Sequence, residues 1–341
     1  MNFSVIVPFV TESDFLYENL AEIERQKRND LEIILIPDAE SHDLKKFVGR
    51  MITPVKIIES GKVAPGRKRD LASRGAAGQI LVFFDDDSYP GEHYFDLALA
   101  LFHSQDVIAA GGPGCTPRTD GFFAKVSGAA FLGSILGGTP ERYVSVGSRR
   151  VVDDWPSVNF LIRKEVFLAL EGFNSDYWPG EDTLFCNKLI QSGLANGITY
   201  EPSLLVWHHR RNSITRHFAQ VANYAQHRGF FFKEGVTNSR KIKFAVPSFF
   251  VIFCCISVVY GSLYQGISPS VDILIFSPWL VYLILIAATF FEIAKKTNIL
   301  ISLCSTFLVF LNHIVYGFFF SRGILANNIR SRLRDPGLNS L

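Results

Sequence analysis

The sequence of 341 residues predicts a doubly wound α/β domain with a mostly parallel sheet, followed by an α-helical membrane region. Three observations carry this expectation. Short, almost wholly apolar runs alternate with amphipathic stretches along the front of the chain. Charged residues are dense up to about Lys243, whereas residues 244–291 hold Asp272 alone. Three long apolar segments then close the chain.

The strand-like runs are "FSVIVPFV" (3–10), "LEIILIP" (31–37), "PVKIIES" (54–60) and "QILVFFD" (79–85). Runs this apolar suit central strands of a sheet covered on both faces. Between them "DFLYENLAEIERQKR" and "PGRKRDLASRGAAG" predict helices, which gives the βαβ alternation of an α/β domain. Ligands of such sheets gather beyond the carboxyl ends of the strands. Asp38 and Asp85–Asp87 fall there.

The rear segments are "FAVPSFFVIFCCISVVYGSLYQ" (244–265), "ILIFSPWLVYLILIAATFF" (273–291) and "ILISLCSTFLVFLNHIVYGFFF" (299–320). As helices, all three reach across a hydrocarbon core of about 30 Å. The first two predict crossings. The third has Asn312 and His313 at mid-depth, so a re-entrant or interfacial segment stands beside a third crossing. Arg240, Lys241 and Lys243 precede the first segment, Lys295 and Lys296 follow the second, and "GISPSVD" between them has no positive charge. That pattern predicts a hairpin in the cell membrane with both ends, and hence the front domain, in the cytoplasm. A third crossing would export the basic tail 321–341, with Arg322, Arg330, Arg332 and Arg334, against the same rule; its side is left open.

Residues 212–243 form a basic amphipathic stretch suited to anionic headgroups, which makes membrane lipids a partner. "DGFFAKVSGAAFLGSILGG" (120–138) reads either as a packed helix or as a bilayer-facing one. The opening "MNFSVIVPFV" has no basic leader, so a cleaved signal peptide is not expected. Five scattered cysteines predict free thiols and a reducing compartment. A net charge of +2 gives no ground for a nucleic-acid polymer as partner.

"LVFFDDDSYPG" (81–91) ends an apolar run on three adjacent carboxylates, whose repulsion calls for water or a cation. Asp85 and Asp87, one residue apart, offer the hard oxygens that Mg²⁺ or Mn²⁺ accepts together with phosphate. A solvated acidic turn and an acidic pocket of the response-regulator kind are the alternatives.

Other motifs agree with a nucleotide site. "LEIILIPDAES" ends a strand on Asp38, and "PGRKRDLASRGAAGQILVFFDDD" runs from an arginine pair to the acidic cluster. "VDDWPSVNFLIRKEVFLALEGFN", "YWPGEDTLFCNKLI" and "EPSLLVWHHRRNS" follow in order. Through these stretches the first 235 or so residues resemble the family-2 glycosyltransferases, inverting enzymes of the GT-A fold that use nucleotide sugars. The sequence departs from that pattern at Pro37, where a first aspartate is usual, and at Asp70, where asparagine is usual.

The resemblance implies roles by position. Asp182 stands as the catalytic base, with Glu181 beside it to orient the acceptor. Pro8, Asp38, Arg67, Arg69, Asp85 and Asp86 form the nucleotide-sugar set, with Asp38 reading the base. Asp87, Asp85 and His208 stand as ligands of Mn²⁺ or Mg²⁺. Arg149, Arg150, Trp178 and His209 stand as acceptor or phosphate contacts. Bland alternatives sit beside several of these: a helix cap for Asp182, solvated surface charges for Lys68 and Arg150, structural histidines for His208 and His209.

The expected function is that of a membrane-anchored inverting glycosyltransferase in glycan or polysaccharide biosynthesis. It would move a sugar from a nucleotide-diphosphate donor to a membrane-associated acceptor, lipid-linked or glycan. A processive polysaccharide synthase is one alternative, but the glutamine–arginine–tryptophan motif of such enzymes is missing where Gln220 is followed by Val221, Ala222, Asn223 and Tyr224. A non-catalytic scaffold that binds nucleotide sugars is the alternative of another class.

Overall fold

In the computed structural model the described residues are 2–263 and 268–329. The chain opens with β1 (Phe3–Pro8), α1 (Asp14–Arg25), β2 (Leu31–Ile36), α2 (His42–Val48), β3 (Val55–Ile57), α3 (Pro65–Gly75) and β4 (Ile80–Phe84). There follow β5 (Ser88–Pro90), α4 (Tyr94–Phe102), β6 (Ala109–Gly111), β7 (Gly114–Cys115) and α5 (Phe122–Ala129). Next come β8 (Arg150–Val152), β9 (Asn159–Arg163), α6 (Lys164–Ala169), α7 (Glu181–Gln191), β10 (Ile198–Tyr200) and β11 (Val206–His208). The rear holds α8 (Ile214–Lys233), α9 (Ile242–Leu263), α10 (Pro269–Ala294) and α11 (Ile299–Leu325).

Two units share these elements, residues 2–117 with 144–209 and residues 118–143 with 210–329. The first unit is the α/β part. Its main sheet runs β3-β2-β1-β4-β9-β6-β10-β8, and a small second sheet runs β5-β11-β7. β3, β2, β1 and β4 are mutually parallel, as the apolar runs predict. β9 enters antiparallel between β4 and β6, and β8 closes the far edge antiparallel to β10.

The central strands are buried along their whole length. α1 forms because Ser13 caps it, accepting from the Leu16 N–H, and it buries Leu16, Asn19, Leu20 and Ile23 at helical spacing. β2 carries one charge inward. Glu32, 2% exposed, accepts from the Ser4 hydroxyl on β1 and from the Ala77 N–H, and pairs with Lys56 of β3 at 2.7 Å. These partners hold the carboxyl below its usual range against the opposing effect of burial.

The second unit consists of α5 and α8–α11. α9, α10 and α11, of 22, 26 and 27 residues, are long and apolar enough to cross a membrane. They contain the three apolar segments, apart from Tyr264 and Gln265. Those two residues and the tail from Arg330 lie outside the described residues.

The stretch 120–138 contains a short packed helix. Val126, Ala129 and Ala130 share a core with Ile293, Ile301, Leu308 and Val309. The mid-depth polar residues of α11 have partners in the same unit. His217 of α8 joins the Ser127 hydroxyl at 2.8 Å to Asn312 Oδ1 at 2.9 Å. His313 meets the Tyr282 hydroxyl at 2.9 Å and the Leu136 carbonyl at 3.0 Å. α8 and α11 approach closely at glycine: a Cβ on Gly229 would lie 2.1 Å from the Phe320 carbonyl oxygen, and one on Gly323 2.1 Å from that of Gln226.

Candidate active site

The acidic cluster is a tight turn between β4 and β5. The Ser88 N–H donates to the Asp85 carbonyl at 3.2 Å, which closes the turn and puts Asp86 and Asp87 at its centre. The Ser88 hydroxyl lies 3.0 Å from the same carbonyl, the Asp85 N–H reaches that hydroxyl at 3.2 Å, and Asn19 of α1 donates to the Ser88 carbonyl. The three carboxylates are half-buried.

β11 runs antiparallel to β5 with His208 opposite Ser88, which carries an imidazole to the same turn. One ligating atom from each of Asp85, Asp87 and His208 lies within 4.8 Å of the other two. His208 Nε2 is 3.2 Å from Asp87 Oδ1. Two hard carboxylates and one imidazole form a donor set that suits Mn²⁺ or Mg²⁺. His209 faces elsewhere. Its N–H donates to the Asp87 carbonyl at 2.9 Å, its ring stacks on Phe15 at 4.2 Å, and its Nε2 meets Glu18 at 2.9 Å. It braces the turn from α1.

α3 supplies two cations with different partners. Arg69, 2% exposed, donates to Asp85 and reaches Glu181 at 3.5 Å, so it links the acidic turn to the start of α7. Its Nε is buried with no hydrogen-bond partner among the described residues. Lys68 is wholly buried, against the surface-charge alternative. It donates to the carbonyls of Phe9 and Ile36 and to Asp38 Oδ1 at 2.5 Å. The only sequence signal for it is its spacing from Ala72 and Ala76, which makes it part of the inward stripe of α3. Asp70 is structural, accepting from the N–H groups of Phe173 and Asn174 at 2.8 and 2.9 Å.

Gly180, with φ of 116°, turns the chain into α7 in a conformation that disfavours a side chain. This puts Glu181 and Asp182 in the first helical turn. Asp182 is half-buried and accepts from the N–H groups of Thr183 at 2.7 Å and Ser157 at 3.3 Å. Gly180 is the N-cap, so Asp182 meets the first-turn N–H of Thr183 from inside the helix, and its carboxylate stays partly accessible. Glu181 is 4% exposed. Burial first, then the Asp182 charge, push its carboxyl up to about 8 against the opposing effect of Arg69.

The remaining candidates disperse. Pro8 is buried at the carboxyl end of β1, beside Ile36. Arg67 is exposed and paired with Asp176 at 2.6 Å. Arg149 is bound to Glu201 at 2.7 Å, and the Arg150 guanidinium lies 4.4 Å over the Tyr200 ring. β8 lies four strands from β4, so these two arginines stand about 19 Å along the same sheet edge from Asp85. Trp178 is half-buried just before α7, whereas Trp155 is core.

Residues 4–167 match the family described as "Glycosyl transferase family 2", a match that ends before Glu181, Asp182 and His208. Over 116 residues the chain is 26% identical to the poly(ribitol-phosphate) beta-N-acetylglucosaminyltransferase TarS of Staphylococcus aureus, covering 32% of this chain and 20% of that protein. It thus spans about a fifth of the length of the curated relatives it matches. The mannosyltransferase PcManGT from Pyrobaculum calidifontis, solved in complex with GDP-Man and Mn²⁺, has a similar fold. The TM-score is 0.54 at 16% identity, over 96% of this chain and 88% of that one. The α/β part of this chain thus has a GT-A-like fold whose residues 4–167 match the glycosyl transferase family 2 model, and it is followed by three C-terminal helices long and apolar enough to anchor it in a membrane.

Proposed function

We propose that this protein is an inverting glycosyltransferase that transfers a sugar from a nucleotide-diphosphate donor to a membrane-associated, lipid-linked acceptor. The observation that carries the reading is the bridge made by Arg69. One guanidinium ties Asp85 of the acidic turn to Glu181, the neighbour of Asp182, so cation ligands and proton acceptor share one site. Asp85, Asp87 and His208 would hold a divalent cation, which would supply positive charge for the leaving diphosphate. Arg69 adds a guanidinium suited to diphosphate oxygens. Asp182 accepts the proton of the acceptor hydroxyl. Glu181, sealed beside it with its carboxyl pushed up by burial, is the poorer proton acceptor of the two and leaves the base role to Asp182. A single base and a single displacement invert the anomeric configuration. The GDP-Man and Mn²⁺ bound by PcManGT support the donor class.

The lipid acceptor and a cytoplasmic α/β domain rest on the apolar helices and on the lysines and arginines that flank α9 and α10. Thermal shift of the detergent-solubilised full chain with nucleotide sugars, with and without Mn²⁺, tests the donor site. A rise in melting temperature that needs Mn²⁺ and vanishes in Asp87→Ala is expected. No shift with any nucleotide sugar would refute the reading, and strong preference for free sugars over lipid-linked acceptors would refute its acceptor half.

A further inference from the structure

By length and composition α11 qualifies as a third span. Its neighbours, however, put its two ends together. α9 and α10 run antiparallel and touch between their turn and the Phe250–Tyr282 pair. The Tyr260 hydroxyl donates to Asp272 at 2.8 Å, and the Trp279 Nε1–H donates to the Ser257 hydroxyl at 3.0 Å. The Phe250 and Tyr282 rings stack at 4.4 Å. Past that pair, towards the open base of the hairpin, each helix meets α11 instead. Ile286 and Ile293 of α10 pack with Ile301 and Leu308 in the first half of α11. Phe244 and Ala245, at the start of α9, pack with Tyr316 and Phe320 in its second half. Between these contacts His313 meets the Tyr282 hydroxyl at 2.9 Å and the Phe250 ring at 6.0 Å.

A third crossing would leave α10 near Ile293 and approach the turn end of the hairpin at Phe320, about 28 Å further along the helix. Phe320 lies instead against the first turn of α9. The Ser248 hydroxyl donates to the Gly317 carbonyl at 2.9 Å, and a Cβ on Gly317 would stand 2.2 Å from the Pro247 carbonyl oxygen. In a hairpin the start of α9 and the end of α10 share one membrane face, so α11 begins and finishes at that face.

Both sides of α11 agree with this placement. Leu300, Leu303, Phe307, Phe318 and Leu325 are exposed at helical spacing and form one apolar stripe. The opposite side is covered by α5 and α8. The Ser305 hydroxyl donates to the Val126 carbonyl at 3.1 Å, and Lys233 donates to the Ala326 carbonyl at 2.7 Å. α8 carries Lys233 and Arg216 exposed, and drawing them into hydrocarbon beside a crossing helix would be costly. Lys295 and Lys296 before α11 and Arg322 in its last turn set cations at both ends, where anionic headgroups lie.

We propose that α11 does not cross the bilayer. It lies across the open base of the α9–α10 hairpin, with its exposed stripe against the acyl chains of a single leaflet, and it ends at the face where α9 starts. Arg322, Arg330, Arg332 and Arg334 then obey the charge rule that a third crossing breaks. The inference rests on α9 and α10 spanning the membrane and is independent of the donor site.

Sidedness is read with an impermeant maleimide on intact and lysed cells that express the full chain, over the background of its own five cysteines. Ser268→Cys marks the turn, Lys296→Cys the end of α10 and Asn328→Cys the end of α11. Asn328→Cys is expected to label together with Lys296→Cys and apart from Ser268→Cys, whichever way the hairpin faces. Labelling of Asn328→Cys together with Ser268→Cys and apart from Lys296→Cys would mean a third crossing and overturn the inference. Labelling of all three from one side would remove the hairpin, and the inference with it.

Nitroxides on Leu303→Cys and Phe318→Cys, in a full chain whose own cysteines are replaced by alanine, measure how the helix lies. Their depths in liposomes should agree to within about 10 Å, whereas a crossing helix would separate them by about 22 Å. A separation near the larger value would overturn the in-plane placement. If the cysteine-free chain does not fold, the maleimide pattern still decides the side.

Discussion

Asp182 and Glu181 are adjacent carboxyls in unlike surroundings. Asp182 is half-buried and accepts from two backbone N–H groups, whereas Glu181 is sealed inside and raised to about 8. Asp182→Asn should lower turnover by about 10²–10⁴-fold with donor affinity within about twofold, read by steady-state kinetics alongside nucleotide binding. Glu181 makes a different prediction. The native carboxyl keeps a proton that the unfolded chain releases near pH 4–5, so the contribution of this group to stability is fully present below that range. It declines as pH rises towards about 8. In metal-free protein the melting temperature should fall over that window, and Glu181→Gln should flatten the fall; a profile that keeps its slope in the variant would rule this out. The acidic turn is visible in the sequence by residue type and His208 by its place after a strand-like run, and the fold groups Asp85, Asp87 and His208; the role proposed for Asp182 comes from the family resemblance. Lys68 is not visible in that way, since a lysine among arginines on a helix reads as surface until the fold supplies the three oxygens around it. Asp70 misleads in the opposite sense: its carboxylate serves the backbone of residues 173 and 174.

At the scale of elements, β1, β2 and β4 lie where apolar runs predict them, because a strand covered on both faces leaves no polar alternation to misread, while β3 at the sheet edge is only partly buried. β9 is different. Its "NFLIR" is five residues long and enters antiparallel, held by β4 on one side and β6 on the other. Nothing local announces that arrangement. β5 and β7, of three and two residues, exist as strands only through β11. α8 reads from sequence as an amphipathic surface stretch, yet it buries His217, Ala225, Phe231 and Gly229. The close approach at Gly229 and Gly323 gives a test. Gly323→Leu should force α8 and α11 apart and cost about 1–3 kcal/mol, seen as a lower melting temperature in detergent and faster amide exchange in both helices. Unchanged exchange in α8 would contradict the crossing.

For the whole molecule, α9 and α10, read as a membrane hairpin from their flanking charges, would fix a side for the α/β domain. With Ser268→Cys in the turn and Lys296→Cys after α10, an impermeant maleimide should label the first in intact cells and the second only after lysis. Labelling in the reverse order would move the proposed donor site to the far side of the membrane. The side of the C-terminus depends on α11, whose polar pair the sequence alone reads as a weakness. Asn312 and His313 each answer to a partner from elsewhere in the unit, so the helix is polar where it is covered. That has a consequence for biogenesis. A helix with asparagine and histidine at its middle enters lipid reluctantly on its own. His217, Leu136 and Tyr282 all precede it in the chain, so every group that welcomes α11 has already been synthesised when it emerges. Entry of α11 into the membrane would thus find the partners of its polar pair already in place.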